Sequence, residues 1–502
     1  MEKDAQLGLW FPCLTFSSLI AIVIRWAVSL HPYSGERKPP MFGDFEAQRH
    51  WMEITVNLPV SEWYFNSSKN DLMYWGLDYP PLTAYHMQLC GTIAEKINST
   101  WVALYSSRGL ESYDLRLFMR YTVLVADVLV YFPAVCVFCK LFCQSTNTMY
   151  KAVVALVMLL QPSLILIDHG HFQYNCVSLG LTLWGVVGLG CGHDLLGSIA
   201  FTLALNYKQM ELYHAIPFFC YLLGKCLHED TFYRKFVKLG SIGCAVLATF
   251  LLCWFPFLTS KEMVMQVVHR VFPFARGLFE DKVANFWCTL SLIVKMKNVM
   301  SQAKLVQLAF ATTFVLVVPS SLNLLMKPTF KRFLIGLANS SLVFFLFSYQ
   351  VHEKSILLAA LPLILLLPNC SFPIMWFHTV ATFSMSPLLL KDGLLIATTS
   401  LLVIFVTATL NVFNPLQSTR TKFTYVASCL GMASLQFGLS FVTPPEKYPD
   451  LFQVLISAYC CAHFLIFLAY FHYLQFRFDS SAVIYWSPNE QTVAADVDKK
   501  TL

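Results

Sequence analysis

Charge is scarce in this chain. Only 13% of its 502 residues are Asp, Glu, Lys or Arg, against about 25% in an average soluble domain. Recognisable nucleotide and hydrolase signatures are absent as well. No GxxxxGK[ST], no GxGxxG after a strand and no GxSxG occurs, so nothing points to a phosphate-cradling glycine loop or a nucleophile elbow. The segment VHEKSIL lacks the second histidine of HExxH, which excludes a zincin. No internal repeat and no low-complexity linker is found, and Pro and Gly are scattered, so no soluble domain separates from the rest. The net charge of +6 is modest, and Lys and Arg lie in short clusters rather than in a stripe interleaved with aromatics. That gives no support to nucleic-acid binding and suits the positive-inside pattern of membrane proteins. Most of the 16 cysteines, among them Cys13, Cys253 and Cys429, lie in apolar stretches and read as small core hydrophobes. Cys136 and Cys139 have CxxC spacing, but no second pair supports a zinc site.

What the chain has in place of charge is apolar length. Hydrophobic residues make up 57% of it, and its mean hydropathy is +0.58. Continuous apolar runs cover 9–30, 117–139, 150–167, 237–258, 303–326, 332–350, 386–411 and 451–475. Each is long enough to cross a hydrocarbon core about 30 Å thick at about 1.5 Å per residue. They do not alternate as barrel strands do. These eight are examples of runs that recur along the whole length, so the fold class is an all-α polytopic membrane protein, with about 12 to 14 transmembrane helices expected. The first run has a long apolar core and no small-residue cleavage pattern, and reads as a retained helix.

The polar residues are unequally placed. The first loop, 31–114, is large, and its sequons Asn66-Ser67-Ser68 and Asn98-Ser99-Thr100 would make it lumenal if used. Asn339 and Asn369 also match but abut spans. The chain ends Lys499-Lys500-Thr501-Leu502, similar to a di-lysine retrieval signal read in the cytosol. Amino and carboxyl termini are thus expected in the cytosol. The clusters Lys295 to Lys297 and Lys327 to Arg332 both look cytosolic across one run, which a re-entrant segment near 286–300 would reconcile.

Six constellations stand out. MFGDFEAQRHW carries Asp44, Glu46, Arg49 and His50. Asp44 suits a helix N-cap, and the two carboxylates with the nearby cations could hold a sugar hydroxyl and a phosphate. WGLDYPP, with Asp78 and Tyr79, is a rigid aromatic stretch suited to a sugar-ring wall, or a structural turn. DHGHFQYN holds His169, His171, Gln173 and Tyr174. The histidines are two apart and would not share a helix face, so hydrogen bonding to sugar or phosphate is favoured over metal. YKQMELYHA places Lys208 and Glu211 in an apolar region, where they pair with each other or serve a site. Arg270, Arg276 and Lys282 form a basic loop near Glu280 and Asp281, and His352, Glu353 and Lys354 lie between two apolar runs.

Taken in order, GDFEAQRHW, WGLDYPPLTAY, HGHFQYN, YKQMELYHA and VHEKSIL closely resemble the endoplasmic-reticulum dolichyl-phosphate-glucose-dependent α-1,3-glucosyltransferases over essentially the whole chain. Ala47-Gln48-Arg49-His50 and Gly170 favour the branch that adds the first glucose to lipid-linked Man9GlcNAc2 over the sister branch that adds the second. The resemblance implies a GT-C glycosyltransferase fold, with an amino-terminal module over 1–258 bearing the catalytic loop. A variable module with lipid-carrier-binding loops follows over 259–475, and a cytosolic tail over 476–502. It implies an endoplasmic-reticulum membrane enzyme with a lumenal site, dolichyl-phosphate glucose as donor, inverting transfer, and no metal or other cofactor. It also maps the catalytic base onto Asp44. His169, His171, Gln173 and Tyr174 are then expected to line the site. Arg276, Lys282, His352 and Lys354 are the expected phosphate holders. No protein partner is implied, and a multispan transporter or scramblase is the distant alternative.

Overall fold

In the bilayer core a backbone must satisfy its own hydrogen bonds, so long apolar segments become helices. The computed structural model describes residues 2–272 and 282–477, and the ordered elements among them are helical apart from one isolated bridge between Ser67 and Asn70. Arg276, Glu280, Asp281 and the lysine-rich tail lie outside the described residues. Among the described residues, seven helices are long and apolar enough to cross a membrane: Trp10–Ser29, Tyr113–Phe142, Phe232–Phe257, Gln302–Met326, Phe330–Phe347, Leu395–Phe413 and Leu451–Arg477. The bent pair Thr148–Leu159 and Pro162–Phe172 makes an eighth if it is one span. Shorter apolar helices such as Asn175–Gly190 fill the interior.

The expected runs differ from these helices where local chemistry interrupts them. The 150–167 run bends by 51° between its two helices. Pro162 offers no N–H, and the Gln161 side chain accepts from Leu164 N to cap the second piece. The 386–411 run divides at Gly393, whose φ of +72° closes Ser386–Lys391 before Leu395–Phe413 begins. Residues 286–300 form two short helices, Phe286–Leu290 and Met296–Val299, neither of spanning length.

Phe330–Phe347 is the axis of the bundle. Of its apolar window, 89% is buried, against 17% for Phe232–Phe257. The latter therefore presents Phe236, Leu247, Leu251 and Leu252 outward as a lipid-facing side.

The first loop is itself folded. Helix α1 (Glu2–Ser29) leads into it, and α2 (Gly43–Asn57) and α3 (Pro81–Ile97) pack on each other inside it. Their closeness needs Gly91, where an added Cβ would meet Val56 Cγ2 at 2.7 Å and Met52 O at 2.9 Å. Trp51, Trp63, Tyr64 and Leu77 are buried, so the loop has its own core, continuous with the bundle.

Buried charge ties α1 to the bundle. Arg25 Nε donates to Asp127 Oδ2 at 2.6 Å, and Arg25 Nη1 donates to Leu159 O at 3.0 Å. Asp127 opens a π-helical turn, Asp127–Tyr131, and also faces His169 Nε2 at 2.8 Å. Removing one member of such a buried pair strands the other in an apolar medium. Arg25→Met is therefore expected to cost about 3–5 kcal/mol, read as a large fall in the unfolding midpoint of the detergent-purified protein. Adding Asp127→Asn to it should recover part of that loss.

Candidate active site

A tight turn presents the first acidic residue of α2. Phe42 (φ +57°) and Gly43 (φ +68°) are both left-handed, and a Cβ on Gly43 would lie 2.5 Å from Ser34 O. Only glycine fits there. Asp44 therefore enters in the first helical turn, not as the N-cap that its residue type suggests: Phe42 holds that position, without a side-chain cap.

Three donors converge on Asp44 Oδ2. His171 Nε2 lies at 3.0 Å, Gln173 Nε2 donates at 2.6 Å and Lys354 Nζ donates at 2.7 Å. Among the described residues no donor is found on Oδ1. The side chain keeps 25% of its surface exposed and lines a cavity of about 490 Å³. Burial opposes ionisation of Asp44, but the Lys354 ammonium and the His171 ring outweigh it and hold its carboxyl well below the usual range. Burial likewise opposes charge on Lys354, and Asp44 and Glu353 overcome it and raise its pKa.

The converging side chains need an unusual backbone. Leu166–Phe172 is π-helical and ends at Phe172, a non-glycine residue with φ +92°, before Gln173 extends. Such widened turns gather at functional sites. Here the turn sends the two histidines apart: His169 to the buried Asp127, His171 to Asp44. His171 Nδ1 meets Asp392 Oδ2 at 2.5 Å. Asp168 anchors the far end by accepting from Asn175 N and Cys176 N.

Lys208 completes the cationic side. Its Nζ donates to Asn175 Oδ1 at 2.5 Å and stands over the Tyr79 ring at 5.3 Å. Burial, then repulsion from Lys354, lowers its pKa to about 8. Lys208 and Glu211 do not pair. Glu211 accepts from Thr182 and faces His214 Nδ1, buried behind the site. Tyr174 is also behind the cavity, with its hydroxyl on Thr122.

The opposite wall is WGLDY, and five consecutive carbonyls are tied down. Trp51 Nε1 donates to Trp75 O, Arg270 to Gly76 O and Leu77 O, Gln209 to Asp78 O, and Tyr64 to Tyr79 O. The backbone is thereby fixed while Asp78 and Tyr79 side chains line the cavity.

The remaining members of the first motif face elsewhere. Asp44, Ala47, Gln48 and Trp51 line the cavity, at the i, i+3, i+4, i+7 spacing of one helix face. Glu46, Arg49, His50 and Glu53 occupy another. Arg49 pairs with Glu46 at 2.8 and 2.7 Å and with Glu53 at 2.6 Å, and His50 Nδ1 lies 3.1 Å from Glu53. These four side chains are buried inside the loop's own fold.

His352 and Lys354 line the cavity, while Glu353 lines a second one of about 790 Å³. Lys282 borders that second cavity and pairs with Asp450 at 2.5 Å. Asn66 and Asn98 are exposed, as a glycan requires, whereas Asn339 is buried against Gln475. Both Glu46 oxygens are bonded to Arg49, and among the described residues no group of three or more His, Cys, Asp or Glu side chains could hold a metal. Asp392, Asn175, Gln48 and Trp51 were not foreseen from sequence. Asp392 left one signal, a carboxylate inside an apolar run.

Glu53 supplies a test of the buried knot. Its carboxyl has no accessible surface. Burial works against its charge, but His50 and Arg49 prevail and lower its pKa to about 2. A carboxyl depressed on folding stabilises the protein above its unfolded pKa of about 4.3, and that stability is lost as pH falls toward 2. Glu53→Gln should therefore unfold well below wild type near neutral pH. The gap in unfolding midpoint should close on acidification across that window.

The profile of the ALG6, ALG8 glycosyltransferase family matches residues 21–470. The chain is 49% identical to the Dolichyl pyrophosphate Man9GlcNAc2 alpha-1,3-glucosyltransferase of Gallus gallus, over 91% of this chain and 96% of that protein. It is 50% identical to the Rattus norvegicus protein of the same name, over the same shares. The probable counterpart in Arabidopsis thaliana is 44% identical, over 92% of this chain and 89% of that one. Among solved structures, ArnT from Cupriavidus metallidurans bound to undecaprenyl phosphate aligns at 11% identity and a TM-score of 0.42, over 92% of this chain and 77% of that one. With the profile covering nearly all of the chain and relatives this similar along nearly their whole length, the chain belongs to the ALG6, ALG8 glycosyltransferase family.

Proposed function

We propose that the protein transfers glucose from dolichyl-phosphate glucose to lipid-linked Man9GlcNAc2, forming an α-1,3 linkage with inversion, at the lumenal face of the endoplasmic-reticulum membrane. On this reading the bundle is a GT-C transferase, both termini are cytosolic, and no metal or cofactor takes part. The observation that carries it is the environment of Asp44: one carboxylate, one unengaged oxygen, a cavity in front and cations at its side.

The chemistry needs little more. A mannose hydroxyl oxygen bonds to C1 of glucose as the bond from C1 to the phosphate oxygen breaks, and the electron pair leaves with the phosphate. A glycosidase must protonate a poor leaving group with a second carboxyl. A phosphate monoester, with a second pKa near 6, departs without a general acid. One base suffices, and Asp44, which lines the cavity and among the described residues has no donor on Oδ1, would take the hydroxyl proton there. Lys354, His352 and Lys208 stand where the developing phosphate charge would be stabilised. Trp51, Asp78 and Tyr79 offer an aromatic and hydrogen-bonding wall for the sugar. The relatives named for this reaction support the acceptor assignment.

Purified protein given both lipids should form one glycoside bond per turnover. Asp44→Asn should lower kcat of the folded protein by about 10²–10⁴, with some fall in the unfolding midpoint because Lys354 and His171 lose their counter-charge. Near-normal turnover by that variant would remove Asp44 as the base. Offered Man9 and Glc1Man9 acceptors side by side, the enzyme should choose Man9, and preference for the glucosylated acceptor would move it to the sister reaction. A lumenal first loop predicts a glycosidase-sensitive mobility shift from Asn66 or Asn98 that disappears in the double Asn→Gln variant.

A further inference from the structure

Asp392 belongs to none of the six sequence constellations, yet it reaches the reacting end of the site. It follows the Ser386–Lys391 helix, is 5% exposed, and its Oδ2 lies 2.5 Å from His171 Nδ1. The turn that carries it is held in place: Gly393 closes the helix with φ +72°, and Lys38 Nζ donates to Lys391 O at 2.9 Å. The other ring nitrogen of His171 lies 3.0 Å from Asp44 Oδ2. One imidazole thus spans two carboxylates, 221 residues apart from one and 127 from the other.

We propose that Asp392 is a positioning residue for the transfer reaction: it keeps His171 protonated at Nδ1 and aims Nε2 at Asp44 Oδ2, which leaves Oδ1 for the acceptor. The proposal rests on the reading of Asp44 as the base. Its physical ground is the charge balance around the ring. His171 is buried, and the Lys354 ammonium is 3.2 Å from Nε2, so burial and a neighbouring cation both act against a charged imidazole. Asp44 offsets part of this, though Lys354 and Gln173 donate to the same oxygen, and the bond to Asp392 adds to it. Arg120, from the Tyr113–Ala126 helix, donates to the carbonyls of His169 and Gly170 and adds no negative charge. On the ring's own turn, His169 is engaged by Asp127, which Arg25 neutralises, and Asp168 is bound to Asn175 and Cys176. Asp392 is the counter-charge that remains. A carboxylate on one nitrogen also fixes which nitrogen carries the proton, and so what the other presents to its partner.

The consequence is a shared proton line from Asp392 through His171 to Asp44. With the ring charged, Nε2–H donates to Asp44 and keeps it ionised and oriented, with Oδ1 toward the acceptor. Without Asp392 the ring loses its proton more readily, and its bare Nε2 then turns toward Lys354 instead.

The test uses full-length Asp392→Asn, Asp392→Glu and His171→Gln, with transfer to the Man9 acceptor measured across the neutral and alkaline range. Asp392→Asn should lower kcat by about 10- to 100-fold with little change in KM for either lipid. It should move the alkaline limb of the kcat profile to lower pH by about one unit. Asp392→Glu should restore part of both. In the His171→Gln background, Asp392→Asn should cost nothing further, because its effect passes through that ring. An unmoved alkaline limb in Asp392→Asn, or additive losses in the double variant, overturns the positioning role alone, with the wild type active. Should Asp392→Asn fail to fold, Asp392→Glu and His171→Gln still decide: a profile unmoved in both overturns the role. A folded wild type that transfers no glucose overturns the functional reading and this role with it.

Discussion

Everything at the site depends on keeping one carboxylate ionised next to an apolar bundle. Removing a charge from water costs several kcal/mol unless partners replace the water. Asp44 obtains its partners from a π-helical turn and from the link before Ile356–Leu365, with Lys354 lying 310 residues along the chain. The folded first loop, the broken span 148–172 and the carboxyl-terminal half are thereby brought to one oxygen. Several other buried charges pair in groups away from it. Arg25, Asp127 and His169 form one, Glu46, Arg49, His50 and Glu53 another, Glu211 and His214 a third. Asp44 differs from these in being partly exposed to a cavity, and that difference separates a structural ion pair from a reactive one.

The helix that carries Asp44 also explains which parts of the site were readable in sequence. Successive residues on a helix are about 100° apart, so adjacent motif letters diverge. Asp44, Gln48 and Trp51 turn to the cavity, and Glu46, Arg49 and His50 turn into the loop's core. Grouping them by nearness in the chain joined two faces with different duties. Asp44, the WGLDYPP wall and Lys354 were legible because a charge or a rigid aromatic segment in an apolar chain has few uses. Asp392 was not, because its partner is 221 residues away and its neighbours are leucines. Lys208 and Glu211 were ambiguous for a definite reason. The pairing option assumed one continuous helix, but Lys208 is extended (φ −143°, ψ 118°) between two helices and turns to Asn175.

The fold was legible to the same depth. Apolar length predicted an all-helical membrane protein, and long helices occupy most of the runs. What length could not give was continuity. Pro162 and Gly393 break two of the runs, and both breaks serve the site: the first precedes the turn bearing His171 and Gln173, the second follows Asp392. Irregular backbone at membrane depth is tolerated where protein buries it or a cavity receives it.

The cations that keep Asp44 ionised also make it a weak base, and on the proposed reaction this conflict resolves itself. The mannose hydroxyl has no need of a strong base at the outset. As its oxygen bonds to an electron-poor C1, the proton becomes acidic, so the base is needed late and need only be ionised and in place. The departing phosphate meanwhile gathers negative charge beside the same cavity that Lys354 and Lys208 line. An ammonium drawn toward that charge interacts less with Asp44, so the carboxylate gains basicity as the proton arrives. On that reading Lys354, bonded to Asp44 and lining the cavity, links the two halves of the transfer. The buried ring of His171, with Asp392 on its other nitrogen, holds the carboxylate in register meanwhile.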